Sequence, residues 1–197
     1  YDYDPIGNLR WQSYPTGLVV DYAPNALGQP TQVRDQNNQV YASGAQYFPN
    51  GALKQFTYGN GIVHTMTQNA RQLPQQVTSS GGVLDYEYYY DPNGNPTHIA
   101  NVLVPGYDPQ DRWMAYDGLD RLTVAASASF GGDHWHRFSY DALDNIKSWT
   151  LPGVKDYADY VYNAQNHLTN IRNTAGATIV GLSYGPQGNL ENKNGQG

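Results

Sequence analysis

The residues best placed to do chemistry are His134 and His136, which flank Trp135 and follow Asp133. Residues two apart on a strand point to the same side, so these two imidazoles could share a metal ion. Structural zinc takes four ligands and catalytic zinc three, and the next histidines, His98 and His167, lie far away in the sequence. The pair is therefore expected to be non-catalytic and unmetallated, with Trp135 packed on one face of a strand and the two histidines displayed on the other. Asp156 and Asp159 suggest an acid pair, but their spacing suits no shared strand face, and they read as structural carboxylates. No glycine-rich stretch leads into the Lys-Ser/Thr and helix that a phosphate loop requires, and no Ser, His and Asp set stands out for nucleophilic catalysis. The expectation is a chain with no catalytic, cofactor-binding or metal-binding residues and no cofactor.

What the chain does carry is punctuation. An aromatic-led segment of the form Tyr-Asp-x-x-Gly-Asn-Leu returns about every 22 residues, the mark of a repeat architecture. Clear copies begin at Tyr3, Tyr90, Tyr116 and Tyr140, and weaker ones at Tyr47, Tyr162 and Tyr184. A stretched copy spans Tyr22 to Pro30 and a decayed one Thr67 to Leu73. The fifth positions are then Gly7, Gly28, Gly51, Arg71, Gly94, Asp120, Asp144, Asn166 and Gly188. In this segment Asp or Asn at the second position can bond to the backbone two residues on, and Gly at the fifth tolerates a left-handed conformation.

A second turn signal falls between these marks, as at Pro15-Thr16-Gly17, Asn37-Asn38, Gly59-Asn60-Gly61, Gly81-Gly82, Pro105-Gly106, Gly131-Gly132, Pro152-Gly153 and Ala175-Gly176. Asn-Gly and Gly-Gly supply the positive φ angles of two-residue hairpin loops, which are expected here. The intervening segments are short and rich in Tyr, Val, Leu, Thr and Trp, which is strand length and strand composition. In Leu84-Asp85-Tyr86-Glu87-Tyr88-Tyr89-Tyr90 one face carries residues 84, 86, 88 and 90, and the other carries Asp85 and Glu87. Each repeat is thus one antiparallel hairpin, and consecutive hairpins are expected to pair edge to edge into one long curved sheet, an all-β array of about nine units over residues 1–197.

Composition fits an array better than a compact core. Leu, Ile, Val and Phe make up 37 of 197 residues, less than the fifth of a chain below which disorder becomes a concern. Disorder also needs high net charge, whereas only 14% of residues are charged, the net is −6, and 18 Tyr and 4 Trp replace the missing aliphatic mass. Tyrosines recurring in one register can stack into ladders across neighbouring hairpins, so that burial is shared along the sheet. About 18 strands at ~4.8 Å spacing make a sheet on the order of 85 Å wide, and so wide a sheet is expected to curl. The balance of 11 basic against 17 acidic residues argues against nucleic acid as a partner. Zero Cys excludes a disulfide framework and thiolate metal sites. No signal peptide or membrane span is visible, and both ends fall inside repeats, so the chain is expected to be a fragment of a larger protein.

These segments resemble the YD repeats of the Rhs family: Tyr116-Asp117-Gly118-Leu119-Asp120-Arg121-Leu122-Thr123, Tyr140 to Ile146, and Tyr58-Gly59-Asn60-Gly61-Ile62 carry the likeness. The family includes bacterial polymorphic toxins, type VI secretion effectors, shell subunits of insecticidal Tc toxin complexes and, distantly, teneurins. The resemblance implies a ribbon of hairpins wound into a spiral β-cocoon that encloses a cytotoxic C-terminal domain. A closed cocoon takes several times more repeats than nine. The family's core ends in an Asp-Pro-x-Gly-Leu segment linked to autoproteolysis; here Asp4-Pro5-Ile6-Gly7 runs on to Asn8 within an ordinary repeat, so no catalytic aspartate is carried across.

The resulting expectation is a non-enzymatic shell segment of a secreted or cell-surface bacterial protein, with the other repeats of the parent protein and an enclosed toxin domain as partners. The alternative is a carbohydrate- or surface-binding module, because Tyr and Trp stack on sugar rings and Asn and Gln bond to hydroxyls. Aromatics in equivalent exposed pockets of successive repeats would favour glycans; aromatics buried between hairpins would favour a wall.

Overall fold

In the computed structural model residues 1–104, 106 and 108–194 are described. They form two compact units, one of Tyr1–Tyr88 with a short stretch from Asn101, the other of Tyr89–Ala100 and the described residues from Gly106 onward. The first unit holds β1 (Asp2–Tyr3), β2 (Leu9–Ser13), β3 (Val19–Asp21), β4 (Val33–Asp35), β5 (Val40–Tyr47), β6 (Leu53–Tyr58), β7 (Val63–Gln68), β8 (Pro74–Ser79) and most of β9 (Leu84–Tyr90). The second holds nearly all of β10 (Pro96–Asn101), then β11 (Arg112–Tyr116), β12 (Leu122–Ala126), β13 (Trp135–Tyr140), β14 (Ile146–Leu151), β15 (Lys155–Tyr157), β16 (Asp159–Tyr162), β17 (Leu168–Arg172), β18 (Thr178–Tyr184) and β19 (Leu190–Lys193). The only helix among the described residues is one 3-10 turn, Ala128–Phe130, capped by the Ser127 side chain.

Strands pair antiparallel with their neighbours in chain order, as the double punctuation requires. All nine first marks fold into one loop. The N–H of the second residue donates to the carbonyl of the sixth, and the N–H of the fifth donates back to the carbonyl of the second, from Asp4, Gly7 and Asn8 through to Gly185, Gly188 and Asn189. The fifth residue is left-handed each time, whether it is Gly7, Gly28, Gly51, Gln72, Gly94, Asp120, Asp144, Asn166 or Gly188. The decayed copy therefore has its fifth position at Gln72, one residue beyond Arg71, because no Tyr or Gly marks its register and Asn69 takes the turn-forming role. In the stretched copy Pro24 opens the loop and Asn25 is its second residue.

The second marks differ from expectation. Tyr14–Leu18, Asp35–Gln39, Tyr58–Ile62 and Asn173–Ala177 repeat the bonding of the first marks, with Gly17, Asn38, Gly61 and Gly176 left-handed. These are three-residue loops in which a left-handed residue makes a bulge, a solution that also fits strand twist. At Pro152-Gly153 the Val154 N–H donates to the Leu151 carbonyl, but Leu151 pairs with Lys155, so this connection too has three residues. Pro105 of another second mark lies outside the described residues.

Within the second unit the ladder is interrupted at Ala158. Lys155–Tyr157 pair back onto β14, whereas Asp159–Tyr162 pair forward onto β17, and the Ala158 N–H donates to the Arg172 carbonyl. Burial is spread thinly in both units. Val20, Ala126, Leu151 and Ile171 are the only buried hydrophobic residues described, and most strand residues are half-buried. The expected polar face of β9 is also covered: Asp85 is half-buried and accepts from Gln76 Nε2 at 2.7 Å.

The loop geometry has a direct test. Gly61 sits at φ +85° with open space around its Cα, so Gly61→Val should cost about 1 kcal/mol or more through backbone strain alone. Gly118 is equally open and has no positive φ, so Gly118→Ala should be neutral or slightly stabilising in the same denaturant melts.

Candidate functional site

The groups that recur with fixed geometry lie at the junctions between repeats. The strand register shifts at the marker residue of most first marks, for example between Ala115 and Tyr116, Ser139 and Tyr140, Val161 and Tyr162, and Ser183 and Tyr184. Such bulges re-aim a side chain. The re-aimed phenol reaches the strand that follows the preceding mark, where its hydroxyl donates to the carbonyl of the seventh residue. Tyr47 reaches Pro30 at 2.6 Å, Tyr116 reaches Pro96 at 3.0 Å, Tyr140 reaches Leu122 at 2.8 Å, Tyr162 reaches Ile146 at 3.0 Å and Tyr184 reaches Leu168 at 2.9 Å. Burial raises the Tyr47, Tyr116, Tyr140 and Tyr162 hydroxyl pKa values, keeping the donors protonated well into the alkaline range. The spacing led to an expectation of stacked tyrosines; the marker tyrosines are joined to the preceding repeat by hydroxyl tethers instead.

A second lock joins the turns. The side chain at the sixth position reaches the fifth position of the next repeat: Asn95 donates to Asp120 at 2.7 Å, Arg121 to Asp144 at 2.7 Å, and Asn145 to Asn166 at 2.8 Å. Where the fifth residue is glycine, the incoming side chain packs on its Cα, Asn8 on Gly28 and His167 on Gly188. Arg121 also lies over the Tyr140 ring, 4.9 Å from its centroid, and pairs with Asp117 at 2.7 Å.

Where the second position is Asp, its carboxylate organises the turn. Asp141 Oδ1 accepts from the N–H groups of Leu143 and Asn145, while Oδ2 accepts from Asn145 Nδ2. Asp4 and Asp117 repeat the pattern, with Arg121 supplying the side-chain donor to Asp117. These bonds hold the carboxylates below their ordinary pKa of 3.8, led by the Asn145 side chain at Asp141, the Asn8 N–H at Asp4 and the Arg121 side chain at Asp117. Asp4 is therefore a turn former, although a proline follows it.

The histidine pair does not make a shared site. His134 precedes β13 in a left-handed conformation at φ 70°, its N–H bonded to the Gly131 carbonyl. His136 is half-buried on β13 against Phe130, Phe138 and Trp149, and its Nδ1 accepts from Trp149 Nε1 at 2.9 Å. That bond places the imidazole proton on Nε2, and burial, followed by the charge of Lys155, lowers the His136 pKa. The expected faces are reversed: Trp135 is 45% exposed and His136 packs. Among other histidines, His98 is stacked on Trp113 with centroids 3.5 Å apart, its Nε2 3.6 Å from Asp111, and His167 lies 4.7 Å from the Tyr184 ring. Among the described residues no group of three or more His, Asp or Glu is arranged to hold a metal ion.

Asp156 and Asp159 are separated by the Ala158 switch. Asp156 accepts from the Thr174 hydroxyl at 2.6 Å and from its N–H, and Asp159 faces Arg172 at 3.7 Å. An apolar cleft of about 210 Å³ in the first unit is lined by Val33, Ala42, Leu53 and Phe56 beside Tyr47, whose hydroxyl is already committed to Pro30. Tyr89, Trp113 and Trp135 are exposed, at different offsets from their turn marks.

No protein-family profile matches the sequence, and no curated protein matches it. Solved structures do. The Photorhabdus luminescens Tc holotoxin pore with a mutated TccC3 aligns with a TM-score of 0.67 at 16% identity over 98% of this chain. The fold is that of Tc toxin chains. A TcdB2–TccC3 crystal structure gives 0.66 at 16% identity over 98% of the chain, and one without the hypervariable C-terminal region gives 0.67 at 18% over 96%. The chain spans 12% of the length of each of these Tc toxin chains. The likeness to the Rhs-type shell read from the repeats therefore extends to the fold.

Two outcomes test the junction chemistry. Tyr140→Phe removes the donor to Leu122 and should cost about 1 kcal/mol in urea melts, more than Tyr41→Phe, whose exposed hydroxyl bonds at 3.4 Å. Carboxylates with lowered folded pKa values contribute stability that is present above 3.8 and lost as pH falls through the folded values. The melting midpoint should therefore drop steeply below about pH 4, and Asp141→Asn, which keeps an acceptor there as Asn163 does, should make that drop shallower.

Proposed function

We propose that this chain is a non-enzymatic stretch of shell wall from a toxin-delivery protein, one length of a longer β-hairpin array that encloses a C-terminal toxin domain. The observation that carries the reading is the alignment of 98% of the chain with 12% of Tc toxin chains, as a part of a wall would align. The interior chemistry supports it. Tyrosine hydroxyls and sixth-position side chains join one repeat to the next, and second-position carboxylates hold the turns that aim them, which leaves the wall as the product of the sequence. Bacterial origin and a secreted or cell-surface location go with this reading, and no helix described is long and apolar enough to cross a membrane. The glycan-binding alternative has less support, because among the exposed aromatics described only Tyr14 and Tyr58 share a position of the repeat, and the repeats that carry them are not successive.

The parent reading frame is expected to encode further Tyr-Asp repeats and a distinct C-terminal domain. In the intact parent protein that domain should resist protease under conditions that digest it once released. Equal digestion in both states, or a parent without further repeats, would overturn the reading.

A further inference from the structure

Sheet register lines up residues of the second unit that the repeat does not relate. His98 of β10 pairs with Trp113 of β11, Trp113 with Ala126 of β12, and Ala126 with Trp135 of β13. Directly paired residues of neighbouring strands share a face, so these side chains form one row, and Tyr89 of β9 extends it by stacking on His98 at 5.4 Å. With strands ~4.8 Å apart, the row runs about 19 Å across the sheet. Tyr89, Trp113 and Trp135 are each nearly half exposed, whereas Ala126, between the two indoles, is buried.

His98 covers one face of Trp113, with centroids 3.5 Å apart and planes 11° from parallel. The opposite face of Trp113 looks along the row, over the small side chain of Ala126, toward Trp135. Trp135 has no ring partner among the described residues, and neither indole N–H finds an acceptor there, unlike that of Trp149, which donates to His136. The row thus offers indole faces and indole donors that the fold does not use. The charges beside it are paired within the fold: Arg137, two residues from Trp135 and on the same face, bonds Asp133 at 2.7 Å, and Asp111 lies 3.6 Å from His98. A ligand held there gains from apolar ring faces and from oxygens that accept indole N–H groups, and little from net charge.

We propose that the row from Tyr89 to Trp135 is a carbohydrate-binding strip for a neutral oligosaccharide, with pyranose rings against Trp113 and Trp135 and hydroxyl oxygens accepting from the two indole N–H groups. A pyranose suits it because C–H faces that stack on an indole and hydroxyls that bond at its edge belong to one compact ring. An extended polypeptide docks best on an open strand edge, and β11 and β12 in the middle of the row are paired on both sides. The strip is a single local site made by register, not the series of equivalent pockets that a glycan-binding repeat would show. It does not rest on the shell reading, which survives if it fails.

The test is a titration of the 197-residue chain with cellohexaose, maltohexaose and chitohexaose, and with a heparin hexasaccharide, followed by tryptophan fluorescence. At least one neutral sugar should bind saturably with a blue shift, and the heparin fragment should bind no better. Trp113→Ala and Trp135→Ala should each weaken binding about fivefold. Trp135→Phe should weaken it less, since it keeps a stacking face and loses only the donor, and Trp11→Phe, in the first unit, should leave it unchanged. Circular dichroism and melting check the fold of each variant, and Trp135→Ala, which removes an exposed side chain, should melt like the parent. The proposal is overturned by no binding of any neutral sugar, by binding indifferent to both alanine variants, or by tighter binding of the heparin fragment. It is overturned equally if reduced, carboxymethylated lactalbumin binds through the same two tryptophans and no sugar does, which would make the row a protein contact.

Discussion

The structure depends on one hydrogen bond made again and again, from a marker tyrosine hydroxyl to a backbone carbonyl of the preceding repeat. A half-buried phenol must find a partner for its hydroxyl, and a carbonyl at a strand start must find a donor. Each satisfies the other across the junction, as Tyr140 and Leu122 do at 2.8 Å. The bond fixes the register of one hairpin against the last, which is otherwise weakly specified where both faces of a strand are only half-buried.

The tether in turn depends on the turn that follows it. A left-handed fifth residue creates the bulge, the bulge falls at the tyrosine, and the tyrosine is turned toward its carbonyl. The second-position carboxylate secures the loop by accepting two backbone N–H groups and one side-chain donor. Asparagine does the same job at Asn25 and Asn163 with one oxygen, and the turns at Phe48 and Gly185 close with the same backbone bonds and no side-chain acceptor at this position, so the acceptor reinforces the loop and does not define it.

With so few residues fully buried, stability in such an array is approximately a sum of repeat and junction terms. The aromatic cluster of Phe130, His136, Phe138, Trp149 and Tyr157 is a local thickening of that pattern. It explains why a histidine that looks like a metal ligand in the sequence is a neutral acceptor for an indole N–H.

By itself the sequence determined the strands, their antiparallel pairing and the nine turns, because Asp, Asn and Gly select loop conformations through local sterics and local hydrogen bonds. It also pointed to the tyrosines as the joining element, since their spacing is a property of the chain. Only the tertiary structure decided how they join. Whether a phenol stacks or donates depends on where a bulge aims it, and Tyr140 meets Leu122 only once two repeats are side by side. The same holds for Gln72, whose left-handed role no local residue type announces, and for the faces of Trp135 and His136. Strand alternation says that those two faces differ; which one is covered is set by Phe130 and Trp149, and contacts between such separated residues are absent from local pattern.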